Sequence, residues 1–461
     1  MTGMDFMESV SRPRVAAIVI CLMLTGCGEQ DRLVERNIRF MGEHVVVSVP
    51  ADNEAALEWA GQAIRQFSGR LYPLIDIYSP ESEISRANQI AYRVRFPISR
   101  ETQRLLESAQ RLSTDLEGLF DVSDATLRHL WHRHFQENPE ELLAAPLVHV
   151  SRRGIGPHFY DIQEHSLLYL ASETQLDLND FARPYVIDQA VRQLRNLAVT
   201  GVKFHAGRFG RVLGSRSEIR SWSHLITHPG DGKRILGEIM LPDGAAFTLF
   251  GWPDDFAQVG DQQVARIIHP RTGWPAEGKE AVFVMGPTAA NTYALANAVF
   301  VQGREESESL LVQHRDHQVM FVQRSDPTTI WITPNLAPLF VPADDYKDRI
   351  QLIMLPEPQP PEEAEEEEEE ETVNEESDES DGEVSEEWSV GDWMTLEHIV
   401  HRLTAATQNG TCSVEKREYA ISNGLPNLWR PYYPAACSCN SGRVTYCKAA
   451  SLVAFRMTGA A

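Results

Sequence analysis

Arginine, histidine and hydroxyl side chains gathered at turns are the residues of this chain best suited to chemistry, and the chemistry they suit is that of phosphate. Between Val264 and Gly303 the sequence reads V-A-R-I-I-H-P-R-T-G-W-P-A, then an apolar segment, then T-A-A-N-T-Y-A-L-A-N-A-V-F-V-Q-G. Arg266, His269, Arg271 and Thr272 fall at or beside the Pro270–Gly273 turn. Tyr293 and Asn297 follow, four residues apart. Arg183 and Arg208 occupy two further turn-like stretches, A-R-P and G-R-F. Guanidinium groups hold phosphate oxygens through paired hydrogen bonds; as surface arginines they would do nothing of the kind. His269 could act as ligand or base, although a lone turn histidine is more often neither.

The elements that must position these residues follow from periodicity. Ile38–Val49 reads as one strand. Ala55–Leu74 reads as a helix with Ala56, Leu57, Ala60, Ala63, Ile64 and Phe67 on one face. Thr102–Leu116 is a second amphipathic helix, and 136–153 reads as loop. Asp188 opens a helix over Gln189–Leu197. Ala281–Val284 is a buried strand, and Thr288–Val301 a small-residue helix suited to close packing on a sheet. One more helix and strands near 319–322 and 330–333 close the body near Leu355. The fold class expected is α+β, with mixed sheets and packed helices.

The net charge is −24 over 461 residues, but 18 of the acids lie between Glu357 and Glu387, where no Lys or Arg occurs. The rest of the chain carries only −6. This tract, 356–387, reads as an extended, self-repelling linker and argues against nucleic acid as its partner. Arg12 and Arg14, the apolar run Val15–Leu24 and L-T-G-C make residues 1–26 a lipoprotein signal with Cys27 as the lipidated residue. Residues 27–36 are then a tether, and Gly28 in place of Asp points to the periplasmic face of the outer membrane. Cys412, Cys437, Cys439 and Cys447 lie in a C-terminal module, 388–461, where a helix over Trp393–Ala406 is also expected. In an exported protein they read as two disulfides with three open connectivities. A zinc site is the other reading, disfavoured by the Cys437-x-Cys439 spacing.

Several of these motifs together resemble the FAD:protein FMN transferases. The family's H-H-I-I-D-P-x-T-G…T-A…A-D-A-L-A-T-A-x-F-x-x-G matches the frame of 264–303. Its S-x-Y-x-x-x-S-E-I-S-x-x-N is matched at Tyr78, Ser82, Glu83, Ile84, Ser85 and Asn88, and its G-x-F-D-x-T at Gly118–Ser123. Met41-Gly42 resembles its Met-Gly-Thr. The likeness covers roughly 37–303, within a body of 37–355. It implies transfer of FMN from FAD to a threonine of a target flavoprotein, with Mg²⁺ on the pyrophosphate. It also implies cofactor-binding roles for Met41, Tyr78, Glu83, Asp121, Ala182, Arg183, Gly207, Arg266 and Thr272.

The departures fall where the chemistry sits. The family's L-D-L-G-G-I-A-K-G-Y-A-V-D is here L-D-L-N-D-F-A-R-P-Y-V-I-D, and its Gly-Gly-Asp loop is Gly207-Arg208-Phe209. The family's metal positions fall on Ala182, Tyr293 and Asn297, and the Asp and Thr among them are lost. The expectation is therefore FAD as the ligand to test, no competent Mg²⁺ site, and transfer that is weakened or absent. The alternative is a non-catalytic anion- or flavin-binding scaffold lipoprotein that recruits a partner through its tail.

Overall fold

The computed structural model describes residues 32–356, apart from 139, 326 and 327, and four short strands between 412 and 457. The chain divides into two compact units, Met1–Glu363 and Ala364–Ala461. The frame of the first is a nine-stranded sheet whose strands lie in chain order: β1 (Leu33–Phe40), β2 (Glu43–Pro50), β3 (Gly201–Ala206), β4 (Phe209–Gly214), β5 (Ala246–Phe250), β6 (Glu280–Gly286), β7 (Gln318–Gln323), β8 (Ile330–Ile332) and β9 (Ile350–Leu352). All neighbours are antiparallel except β8 and β9.

Strand alternation builds two cores. In β6, Val282 and Val284 face one apolar cluster while Ala281, Phe283 and Met285 face the other. Against the first face pack three helices, α1 (Glu54–Ile75), α2 (Asn179–Leu194) and α3 (Ala289–Gln302). Against the second lies a three-stranded sheet of Trp222–Thr227, Ile235–Leu241 and Phe340–Pro342.

Three expectations need correction. The segment 38–49 is a hairpin rather than one strand. Met41 (φ 48) and Gly42 (φ 83) form a two-residue turn in which both residues are left-handed, the geometry that matches strand twist. Residues 136–153 are not all loop, because Ala145–Ser151 is helical. The helix expected from Asp188 starts at Asn179 and runs through Pro184. Proline inside a helix costs about 3 kcal/mol. Phe181, Ala182, Val186, Ile187, Ala190, Val191 and Leu194 bury one side of α2, and this burial outweighs the missing hydrogen bond.

Between the two sheets the sequence puts titratable groups in an aromatic layer. The His224 ring lies 4.4 Å from Phe247 and 5.2 Å from His205. Burial, then His205 and Lys203, push its pKa down to about 3. A histidine whose folded pKa lies below its unfolded value contributes stability above pH ~6.5, and that stability is lost as pH falls toward the folded value. The effect between pH 7 and pH 5 is on the order of 2 kcal/mol. His224→Phe should therefore shrink the loss of Tm over that interval by about 3–5 °C. Equal losses in the two proteins would show that His224 is not held neutral by the fold.

The C-terminal unit contains the antiparallel pairs Cys412–Glu415 with Ala436–Cys439 and Val444–Ala449 with Leu452–Met457. Cys412 stands opposite Cys439 in register. The disulfide, lipid-signal, linker and Trp393–Ala406 expectations concern residues or side chains outside those described. Among the described residues no helix is long and apolar enough to cross a membrane.

Candidate functional site

The S-E-I-S-x-x-N motif turns out to be a scaffold. Ser82 caps the helix Glu83–Ile90 by accepting from Ser85 N (3.0 Å). Glu83 accepts from both the N–H and the hydroxyl of Ser99, at 2.9 and 3.0 Å. Asn88 is stitched to Leu176 through both ends of its amide and accepts from the Tyr169 hydroxyl. Ser85 Oγ donates to Ile77 O at 2.8 Å. The loop that these bonds hold presents Tyr78, which is 77% exposed and faces His129 with ring centroids 6.1 Å apart. Together they border a pocket of about 360 Å³, also lined by Ile77, Asn88, Thr126 and Gln175.

Asp121 has no such outlook. Its carboxylate is buried and accepts from the hydroxyls of Ser113 and Ser123 and from Ser123 N. It ties the end of helix Arg100–Asp115 to the following loop.

At the centre of a neighbouring cluster of charged and aromatic side chains is the buried Tyr293 on α3. Its ring is enclosed by Phe250, Phe209 and Phe120 at 5.5, 6.0 and 6.4 Å. Burial pushes the pKa of its hydroxyl up, and Asp180 adds to this. Arg208, Arg128 and Arg183 pull the other way, so these four side chains are its charged neighbours. Each guanidinium is already paired. Arg128, on helix Ala125–Glu137, meets Asp124 at 2.9 Å, Asp177 at 3.2 Å and Asp180 at 3.0 Å. Arg183 meets Glu43 at 3.0 Å and Asp180 at 3.1 Å, and reaches toward Met41 O. Arg208 meets Asp255 at 2.5 Å and lies 4.7 Å over the Phe250 ring. Gly207 (φ 57) makes the two-residue turn between β3 and β4 that aims Arg208 there. Burial raises Asp124 to about 6 even beside Arg128.

Thus Met41, Tyr78, Ala182, Arg183, Gly207 and Tyr293 belong to one region. Arg266 N donates to Asp255 O at 2.7 Å, on the residue whose carboxylate pairs with Arg208. Arg266 is exposed and donates to Phe256 O, and Thr272 accepts from Trp274 N within its own turn. That turn packs on the satellite core of Trp131, Val148 and Ile268. His269 accepts from Arg271 N, and Arg271 pairs with Glu117. Sequence reading missed Arg128, Asp177 and Asp255. The Asp124/Arg128 spacing of four on a helix was the one available signal.

Mg²⁺ takes about six hard oxygen ligands in near-octahedral geometry. The side chain at the first lost position is a neutral phenol with guanidinium neighbours, and at the second a carboxamide one helical turn on. Tyr293 and Asn297 therefore do not supply the carboxylate and hydroxyl oxygens of the family's site. A pyrophosphate fares little better, because Glu43, Asp124, Asp177, Asp180 and Asp255 outnumber Arg128, Arg183 and Arg208.

A nine-stranded, mostly antiparallel sheet with three helices on one face, and a charged cluster where α2, α3 and the β3–β4 turn meet, is the flavin transferase class of fold. The sequence model described as the ApbE family matches residues 41–321, and this chain belongs to that family. It is 22% identical over 318 residues to the FAD:protein FMN transferase of Vibrio cholerae, covering 68% of this chain and 94% of that protein. With the enzyme of Escherichia coli K12 it shares 19% over 345 residues, covering 72% and 98%. The apo crystal structure of the flavinyl transferase ApbE from Pseudomonas stutzeri matches with a TM-score of 0.58 at 21% identity, over 67% of this chain and 97% of that one. The Thermotoga maritima protein matches with a TM-score of 0.56 at 18% identity.

Proposed function

We propose that this chain is a lipid-anchored member of the FMN transferase family in which flavin transfer is weakened or lost. The observation that carries the reading is the buried Tyr293, at the position where the family places a carboxylate ligand. Phosphoryl-type transfer is mostly positioning and charge neutralisation. Here the charges are neutralised within the protein, guanidinium against carboxylate, and none of the three arginines is left uncompensated for a pyrophosphate. Losing the metal's contribution of several kcal/mol slows transfer by about 10³-fold or more. The test is to incubate the full-length protein with FAD, Mg²⁺ and a target domain carrying an acceptor threonine. No covalent flavin fluorescence on the target is expected; Mg²⁺-dependent labelling would refute the reading.

A second reading, a flavin-binding scaffold, is favoured by the pocket beside Tyr78. An exposed aromatic ring at the lip of a pocket can stack on a flat ring system. Titration with FAD in the same experiment separates the two: saturable binding without transfer and indifferent to Mg²⁺ supports the scaffold. Anchoring rests on the sequence alone. Cys27→Ser should leave the protein unlabelled by radioactive palmitate and release it from the outer-membrane fraction; unchanged membrane association would refute the anchor.

A further inference from the structure

We propose that His314, Asp316 and His317 form a site for a zinc-class transition-metal ion, separate from the flavin cleft. They lie in the connection between helix Glu308–Gln313 and β7. His314 caps the end of that helix, and His317 N donates to His314 O at 2.9 Å. This tight turn brings the two rings together, with centroids 6.1 Å apart and planes at 89°. One ring nitrogen of each histidine and a carboxylate oxygen of Asp316 lie within 4.8 Å of one another. Bonds of about 2.1 Å in a tetrahedral site put ligand atoms about 3.4 Å apart. Closing the set around an ion thus takes a shift of about 1 Å, and the exposed Asp316 is the side chain free to make it.

A second observation points the same way. The Nε2 atoms of His314 and His317 are both buried and have no hydrogen-bond partner, which is costly for a polar atom. The imidazole of His317 is almost wholly buried, and its Nδ1 faces Asp316 Oδ1 at 2.8 Å. Its Nε2 lies close to Gly286. A Cβ placed on Gly286 would sit 2.6 Å from that nitrogen and 2.7 Å from Thr292 Oγ1. Thr292 Oγ1 is likewise buried without a partner. A metal on Nδ1 fixes the proton on Nε2, the tautomer characteristic of metal-bound histidines. Two imidazoles and one carboxylate select zinc, cobalt, nickel or copper over Mg²⁺ or Ca²⁺. Three protein ligands leave a fourth position for water.

The test uses full-length protein stripped with a chelator and titrated with Zn²⁺ alone. One saturable equivalent is expected, with a rise in Tm that follows from binding to the native state. In His314→Ala, whose side chain is only half-buried, the affinity should fall by about 100-fold and the Tm rise should vanish. Asp316→Asn, which keeps a carbonyl oxygen for His317 Nδ1, should weaken binding by about tenfold. Co²⁺ in place of Zn²⁺ should show the weak visible bands of nitrogen and oxygen ligation, lost in His314→Ala. Absence of saturable Zn²⁺ binding would overturn the proposal. So would equal affinity in the variants, or a thiolate-to-cobalt charge-transfer band that His314→Ala leaves intact, which would place the ion on the C-terminal cysteines instead.

Discussion

Asp188→Ala is expected to destabilise the protein by about 3–5 kcal/mol. Asp188 is buried in α2, yet its work is done on α3. It accepts from Ala289 N at 2.8 Å and Ala290 N at 2.9 Å, satisfying two donors that a helix N-terminus leaves open, and it pairs with the buried Arg211 on β4. Arg211 in turn donates to Pro287 O at 2.7 Å and Gly244 O at 3.3 Å. Alanine would leave a guanidinium charge and two N–H groups buried without their acceptor. Asp188→Asn, which keeps one carbonyl oxygen for the helix, should lose less than alanine. Urea unfolding of the full chain measures both. A loss below about 1 kcal/mol for Asp188→Ala would mean that water or a rearranged Arg211 takes over the role.

Arg128→Ala should rank next, at about 3 kcal/mol near neutral pH, because it strips the shared cation from Asp124, Asp177 and Asp180. The loss should also depend on pH in a way that an ordinary packing defect would not. Like charges and burial raise a carboxylate's folded pKa, and Asp124 already stands at about 6 with Arg128 in place. Without it the folded state binds protons that the unfolded state has released. The variant's deficit should therefore be full at pH 8 and shrink as pH falls through the raised pKa toward 5. A deficit that is constant from pH 8 to pH 5 would assign the loss to side-chain packing rather than to charge.

Much of the frame was legible in the sequence. Periodicity located α1 from Ala56, Leu57, Ala60, Ala63 and Ile64, and the continuously apolar Ala281–Val284 segment located β6 as a buried strand. Thr288 marked the start of α3, where its hydroxyl accepts from Asn291 N. These are signals carried by neighbours in the chain, and the core they imply is the core that forms. Residue identity likewise marked where this chain departs from the family, at Tyr293 and Asn297.

Tertiary structure decided what each polar residue does. Glu83, Asn88 and Asp121 stand in well-matched motifs, yet their side chains are taken up in holding loops together. Arg183 and Arg208, which look in sequence like anion holders, are consumed by Glu43, Asp180 and Asp255, residues 140, 3 and 47 positions away. Asp188 looked like the cap of its own helix and is the cap of another, 101 residues on. Pro184 removes a backbone donor inside α2, and burial of the α2 face offsets that loss. The reason is common to all of these. Backbone preference and hydrophobic period are local and act over a few residues. The pairing of charges and the satisfaction of buried hydrogen bonds depend on which distant segments the sheet brings into contact.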